Sequence, residues 1–302
     1  MSSSREITDL NVLREQSMRL RGDMERSPDA AIVIPVNAKG DLRTVLKPLS
    51  DIIHYTGQNT VEIILVINNF PADNPPAEIE EFRNLGVRVV AAPSARRPGE
   101  VVIISARALG VQAADTSVTV HFDADCHIAN INALLDWYVQ SLKSGAQLAY
   151  SHVDFHDVRN TPSIRAKIAT HHALRWIKRN LLGIPTTRGS NYAIDRSLFL
   201  RLYDAGKLSV DFQVGPAAKL AGARIVYSGR PNFTVYTSGR KFRGGWARLF
   251  RMLRYRLRYN LGALPTRFRD VTRTSWDGFD RESERREVRV LPGEGEPVNT
   301  KR

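Results

Sequence analysis

The feature that most constrains this chain is an alternation in its first half. Runs of apolar strand-formers take turns with segments whose apolar residues recur at helical spacing. "AIVIPV" (Ala31 to Val36) is apolar throughout, the pattern of a strand buried on both faces of a parallel sheet. A loop follows, and then Leu42, Val45, Leu46, Leu49, Ile52 and Ile53 recur with helical period. The series continues with "VEIILVIN" as strand, "AEIEEFRNLG" as helix, "VRVVAA" as strand, "GEVVIISARALGVQAA" as helix and "SVTVHFD" as strand. Four such strands separated by helices predict βα units in a doubly wound, mainly parallel α/β sheet. Ligands of such sheets sit outside the carboxyl ends of the strands, where "PVNAKG", "INNFPAD" and "DADC" all fall.

The second half is less regular. "NALLDWYVQSLKSG" reads as a helix, "QLAYSHVDF" as one strand and "SIRAKIATHHALRWIKRNLLG" as a long helix. "TTRGSNYAIDRSLFLRLYDAG" reads as a loop, a short strand and a helix, and "RIVYS" as a further strand. Ahead of the first strand, Ile7, Leu10, Leu13, Met18 and Leu20 suggest a short amphipathic helix that "RSPD" ends. The polar tail from Asp270 onward holds too little apolar surface to pack and is expected to be disordered. The expected organisation is an N-terminal helical extension (1–28), a catalytic domain (29–238, with halves of about 29–128 and 129–238), a basic segment (239–269) and the tail (270–302).

A chain of 302 residues with 42% hydrophobic content can build a sizeable core. No apolar run approaches the roughly 18 residues of a membrane span, and "MSSSREITDL" lacks a signal-peptide core, so a cytoplasmic location is expected. The single Cys126 cannot form an internal disulfide. The net charge of +13 is concentrated: Arg230 to Asp270 holds eleven basic residues against one acid. Such a block attracts phosphate, nucleic acid or an anionic membrane surface, or forms a solvated helix face. Within it, Trp246, Leu249, Phe250, Leu253 and Leu257 form a stripe with flanking arginines. A stripe over 246–261 of this kind lies on anionic lipid or packs on the main domain.

Several residues could carry chemistry. Asp123 and Asp125 stand at i and i+2 past a strand end, able to converge on one hard cation such as Mg²⁺, with substrate phosphates completing its shell. Two acids near Asn130 could equally cap the next helix. Asp211 is a candidate general base or an ordinary helix N-cap. Arg240, Lys241 and Arg243 beside Gly244 and Gly245 suit a mobile cationic lid or a plain solvated loop. All seven histidines lie at or before His172, so none follows Asp211. There is no G-x-G-x-x-G after the first strand and no P-loop signature, which weakens a dinucleotide enzyme or a P-loop NTPase.

Together, "AIVIPVNAKGDLRTVLKPL", "VEIILVINN", "SARALGVQAA", "VTVHFDAD", "RGSNYAIDRSLFLRL" and "VDFQVGPAAKLAGARIVY" follow one another in the order and approximate spacing of family 2 glycosyltransferases. Over about Ala31 to Trp246 the chain resembles that family, whose GT-A fold is Rossmann-like. The resemblance implies a metal-dependent enzyme of the hexosyltransferase class. It would move a single sugar, with inversion, from a UDP- or GDP-sugar to an acceptor hydroxyl, using Mn²⁺ or Mg²⁺. It further implies that Pro35 and Asn37 line the donor pocket in the turn after the first strand. Asn68 and Asn69 stand where the family usually has acids that hold base and ribose. Arg107 matches a helix position facing the donor, Asp123 and Asp125 the metal and diphosphate motif, and Gly189, Ser190 and Asn191 the acceptor-side loop. Asp211 matches the general base, although Val210 stands where the family often has another acid. "TSGRKFRGGW" matches the segment that closes over the diphosphate. The Q-x-x-R-W pattern of processive synthases is missing, which favours single addition. A nucleic-acid-binding protein using the Arg-rich region is a weaker alternative, because an acid pair is unhelpful against phosphate without a metal. A nucleotidyltransferase is another, although "PVNAKGDLR" lacks the Gly-rich opening usual there.

Overall fold

The computed structural model describes residues 10–21, 27–93 and 102–242, together with Trp246, Phe250 and Arg254. Ten strands and eight α-helices are described. In chain order they are α1 (Leu10–Arg21), β1 (Ala30–Asn37), α2 (Leu46–Ile52), β2 (Val61–Asn68), α3 (Glu78–Asn84), β3 (Arg88–Ala92), α4 (Val102–Ala113), β4 (Val118–His121) and β5 (His127–Ile128). There follow α5 (Ile131–Lys143), β6 (Leu148–Ser151), β7 (Val153–Phe155), α6 (Pro162–Asn180), β8 (Tyr192–Asp195), α7 (Arg196–Asp204), α8 (Val214–Leu220), β9 (Ile225–Ser228) and β10 (Val235–Thr237). The polar tail 270–302, most of the basic segment and residues 1–9 lie outside the described residues.

The main sheet has seven strands in the order β3-β2-β1-β4-β8-β6-β9. The first four pair in parallel, as the alternation predicts. β8 runs antiparallel to both β4 and β6, and β9 is parallel to β6, so one strand of seven is reversed. The fold is therefore α/β with a mainly parallel sheet. Core residues of β1 show why its sequence is apolar at every step. Ala30, Ile32, Ile34 and Val36 face one apolar cluster, shared with Leu134, Leu135 and Tyr138 of α5. Ala31 and Val33 face the other, shared with α4, α7 and α8. α4 lies close on the sheet because Gly110 has no side chain: a Cβ there would come within 3.0 Å of a Val66 methyl and closer still to Val33.

The reading of "QLAYSHVDF" as one strand is corrected. The run breaks at His152, leaving β6 in the main sheet and β7 in a second, three-stranded sheet of order β5-β10-β7. The break is held by Val235, whose N–H donates to the His152 carbonyl at 3.0 Å and brings β10 alongside β7. That small sheet starts two residues after Asp125 and ends three before Arg240, so it ties the acidic turn after β4 to the start of the basic segment.

Candidate functional site

The strand β4 ends at His121, and the chain turns sharply through Phe122 to Cys126, with the Cys126 N–H donating to the Asp123 carbonyl at 3.2 Å. The helix-cap alternative for the two acids is not realised. Asn130 caps α5 itself, its side chain accepting from the Ala133 N–H at 3.0 Å. The two carboxylates are thus left to the cleft at the carboxyl edge of the sheet.

Arg107 organises that edge. It lies on α4, is fully buried, and donates through Nε to Asp211 Oδ1 at 3.0 Å and through Nη2 to Asp123 Oδ1 at 2.5 Å. Its Nη1 donates to the Phe122 carbonyl at 3.3 Å and lies 3.5 Å from His121 Nδ1. Burial works against the charge, but Asp211 and Asp123 more than offset it and push the Arg107 pKa up. His121 is stacked between Tyr192 and Phe199, at 4.5 and 5.3 Å between ring centroids. Burial, and then the charge of Arg107, push its pKa well down, so the ring is neutral and can accept from the guanidinium. Its Nε2 meets Thr119 Oγ1 at 3.3 Å, and that hydroxyl donates to the Ile194 carbonyl at 3.1 Å.

Asp211 opens a 3₁₀ turn (Asp211–Gln213) and makes no cap of its own. Gln213 does that work, its Oε1 accepting from the N–H groups of Ser209 and Val210. The Asp211 carboxylate is therefore turned inward to Arg107. Gly189 closes over the cluster. A Cβ there would lie 2.5 Å from Asp123 Oδ1 and 2.6 Å from Asp211 Oδ2, and nearer still to Arg107 Nη2. The neighbouring Ser190 is fully buried, and its Oγ has no hydrogen-bond partner among the described residues. Asn191 accepts from the Arg188 N–H at 2.8 Å and donates to the Ser151 carbonyl, which fixes the loop.

At the rim, Asp125 Oδ2 accepts from Arg240 Nη2 at 2.6 Å, and the Asp125 carbonyl meets His156 Nε2 at 3.0 Å. The turn that carries Arg240 is docked. Phe242 is buried edge-on against Phe155 with ring centroids 4.7 Å apart, and Asp157 accepts from Ser238 Oγ at 2.7 Å. Arg243 and the Lys241 side chain lie outside the described residues.

On the other side of the edge, Asn37 ends β1 opposite Asn68 of β2. Asn37 Oδ1 accepts from the Lys39 N–H at 3.0 Å and from Asn69 Nδ2 at 3.1 Å. Asn69 has φ 63°, a left-handed conformation that asparagine tolerates. Asn68 is buried, its Nδ2 reaching the Val66 carbonyl at 3.3 Å. Pro35 is buried inside β1, opposite Val66, rather than in the turn that follows the strand. It stands past the last pair that β1 makes with β4, at Val33, where a missing N–H costs nothing on that side.

The donor set suits a hard divalent cation. Burial, with Asp211, Asp125 and Asp41 adding repulsion, pushes Asp123 up to about 7 even beside Arg107. Four carboxylates thus share this edge with two guanidinium groups, Arg107 and Arg240, and a cation would relieve the excess negative charge. A second group of metal-ligand types, His152, Asp154 and His172, places its ligating atoms within 4.8 Å of one another. It faces a cleft of about 310 Å³ lined also by Arg175, Trp176 and Arg179, and those two arginines set a positive field against a cation there.

Sequence reasoning singled out Arg107, Asp123, Asp125, Gly189 and Asp211, and the structure brings these five together. It did not single out His121 or Asp41. The signal for His121 was present, since a histidine in an otherwise apolar central strand needs a buried polar partner.

No protein-family model matches the sequence, and no curated protein matches it. Among solved structures, the fold is similar to a mannosyltransferase from Pyrobaculum calidifontis in complex with GDP-Man and Mn²⁺, at 14% identity and TM-score 0.47, over 76% of this chain and 64% of that one. It is similar to residues 1–349 of S. aureus TarS in complex with UDP, at 13% identity and TM-score 0.45, over 69% and 60%. A mycobacterial protein overlaps at 20% identity and TM-score 0.46, over 83% and 78%. The chain thus spans less than two thirds of the length of the first two structures it resembles.

Proposed function

We propose that this chain is a GT-A-type glycosyltransferase that moves a single sugar from a nucleotide-diphosphate sugar to an acceptor hydroxyl, with inversion. One observation carries the reading. Two carboxylates from opposite halves of the fold, Asp123 and Asp211, converge on the buried Arg107 beside a glycine where any side chain would clash with all three. Sugar transfer needs two ends of opposite duty: one that holds the departing diphosphate, and one that removes a proton from the incoming hydroxyl. Asp123 and Asp125 supply the first and Asp211 the second.

Asp123 and Asp125 are the residues that would hold Mn²⁺ or Mg²⁺, which when bound supplies charge neutralisation to the diphosphate. Arg240 already sits on Asp125 and carries the fork geometry that suits phosphate, so the incoming diphosphate can take over one of its donors. Lys241 and Arg243 follow it in sequence and are assigned the same duty. Asn37, Asn68 and Asn69 at the ends of β1 and β2, above the buried Pro35, are assigned to the nucleoside of a UDP- or GDP-sugar. Amide groups there can donate and accept, where a carboxylate would only accept. Gly189 lets its loop approach the two carboxylates and Arg107 more closely than any side chain would allow, and Ser190 and Asn191 are assigned to the acceptor side of that loop. Asp211 keeps Oδ1 on Arg107 and leaves Oδ2, beside Gly189, to take the acceptor proton.

The stripe over 246–261 is assigned to peripheral contact with anionic membrane. Its described members Trp246 and Phe250 are exposed and lie 5.9 Å apart between ring centroids. No described helix is long and apolar enough to cross a membrane.

Thermal shift against a panel of nucleotide-sugars, with and without Mn²⁺, tests the donor end. One UDP- or GDP-sugar is expected to raise the melting temperature only when metal is present, and Asp125→Ala is expected to abolish the rise. A panel without any metal-dependent ligand, or an unchanged response in the variant, removes the assignment.

A further inference from the structure

We infer that the exposed apolar face at the carboxyl end of α6 seats the protein on an anionic lipid bilayer, independently of the 246–261 stripe and of the sugar-transfer reading. Eight large apolar side chains are exposed among the described residues, and four of them, Trp176, Ile177, Leu181 and Leu182, fall within seven positions. A fifth, Leu220, follows Lys219, whose Nζ donates to the Gly183 carbonyl at 2.5 Å and ties the end of α8 to the same corner.

The arrangement on the helix is directional. At about 100° per residue, Trp176, Asn180, Ile177 and Leu181 fall within an arc of roughly 140°. Arg179 and Lys178 lie about 60° beyond its two edges. An apolar face with a basic residue along each margin is built for the headgroup boundary, where apolar side chains enter the acyl region and cationic heads stay with the phosphates. Tryptophan is the large apolar residue best suited to that depth, because its ring is apolar and its N–H stays wet. The opposite face of α6 is committed to the protein: Lys167, His171 and Arg175 are buried, and Arg175 Nη2 donates to the Thr186 carbonyl at 2.7 Å.

Charge selects lipid over a protein partner. Between Asp157 and Asp195 the sequence has no acidic residue and seven basic ones. Lys167 and Arg175 are buried, and the five that remain give the segment a surface of one sign that complements anionic headgroups, each nearby Lys or Arg strengthening attachment. Seated this way, the protein presents to the bilayer surface the cleft lined by His152, His172, Arg175, Trp176 and Arg179.

The test is vesicle flotation of the full chain at roughly 0.1 M salt, comparing pure phosphatidylcholine with phosphatidylcholine containing about one quarter phosphatidylglycerol. The intact chain should bind the anionic vesicles at least about tenfold more tightly than the neutral ones. Trp176→Asp combined with Leu181→Asp should lower that binding at least about tenfold. Both sites are exposed, so circular dichroism and melting should match the parent. Lys178→Glu should weaken attachment to the anionic vesicles alone, and Phe250→Ser reports the 246–261 stripe separately. The inference is overturned if the parent ignores anionic vesicles, or if the α6 double variant floats as well as the parent. It is likewise overturned if only Phe250→Ser reduces binding, or if the α6 variant abolishes a dimer in light scattering while vesicle binding is absent.

Discussion

Arg107 Nε donates to Asp211 Oδ1 at 3.0 Å across 104 residues of sequence, and the same guanidinium holds Asp123 at 2.5 Å. That one side chain couples the strand end that would face the diphosphate to the turn that would face the acceptor. Burial without its two partners would be costly for a guanidinium, so the cluster stands or falls together.

Arg107→Met removes the cation and leaves Asp123 and Asp211 facing each other. The expected cost is about 3 kcal/mol, the scale for breaking a buried ion pair on one side. Urea unfolding of parent and variant measures it. A loss under about 0.5 kcal/mol, the range of ordinary surface changes, contradicts the structural role.

Gly189→Ala forces a methyl against three charged groups. A cost of roughly 1–3 kcal/mol is expected from overpacking, with the fold retained by circular dichroism. Donor turnover should fall by about a hundredfold or more, because small displacements of reacting groups are that expensive. Turnover near the parent's would show that the close approach of Gly189 to the carboxylates is not needed.

Arg240→Gln leaves a surface position 40% exposed on the arginine side. Stability should change by less than about 0.5 kcal/mol. Affinity for the nucleotide-sugar found in the donor screen should fall roughly tenfold, the worth of one charge-assisted contact. Calorimetric titration with metal present reads both affinity and stoichiometry. Unchanged affinity removes Arg240 from the donor site.

An alkaline transition should come from a site far from the chemistry. The Tyr55 hydroxyl donates to Asp136 Oδ1 at 2.5 Å, and burial followed by Asp136 pushes its pKa up to about 12. The unfolded phenol titrates near 10, so the folded state keeps its proton longer. This contribution is complete below about pH 10 and is lost as the pH rises through 12. Tyr55→Phe should be about 2 kcal/mol less sensitive to a shift from pH 9 to about pH 11.5 than the parent, as measured by urea midpoints. Equal slopes would mean that the phenol titrates as it does in water.

Much of this architecture is written in local pattern. The parallel quartet β3-β2-β1-β4 follows from apolar runs alternating with helical spacing, because β1, β2 and β4 are buried on both faces and β3 is a half-exposed edge strand. What local pattern does not carry is non-local pairing. "YAID" reads as a strand, but nothing in it says that Tyr192 to Asp195 inserts, reversed, between β4 and β6. Nor does "QLAYSHVDF" announce its break at His152, which depends on Val235 arriving from more than eighty residues away. The site divides in the same way. Asp123 and Asp125 are visible as acids at a strand end. Their shared dependence on guanidinium groups, Arg107 for one and Arg240 for the other, appears only when α4 and the turn after β10 are in place.

The most direct measurement is metal-dependent release of nucleoside diphosphate from the donor identified by thermal shift, with water or a supplied hydroxyl as acceptor. It compares the parent with Asp125→Ala and Asp211→Asn. Turnover by the parent with Mn²⁺ or Mg²⁺ is expected, with loss of both binding and turnover in Asp125→Ala, and retained donor binding with turnover down by about a hundredfold or more in Asp211→Asn. Parent-level turnover in Asp211→Asn, or metal-independent turnover that survives Asp125→Ala, would contradict the sugar-transfer assignment.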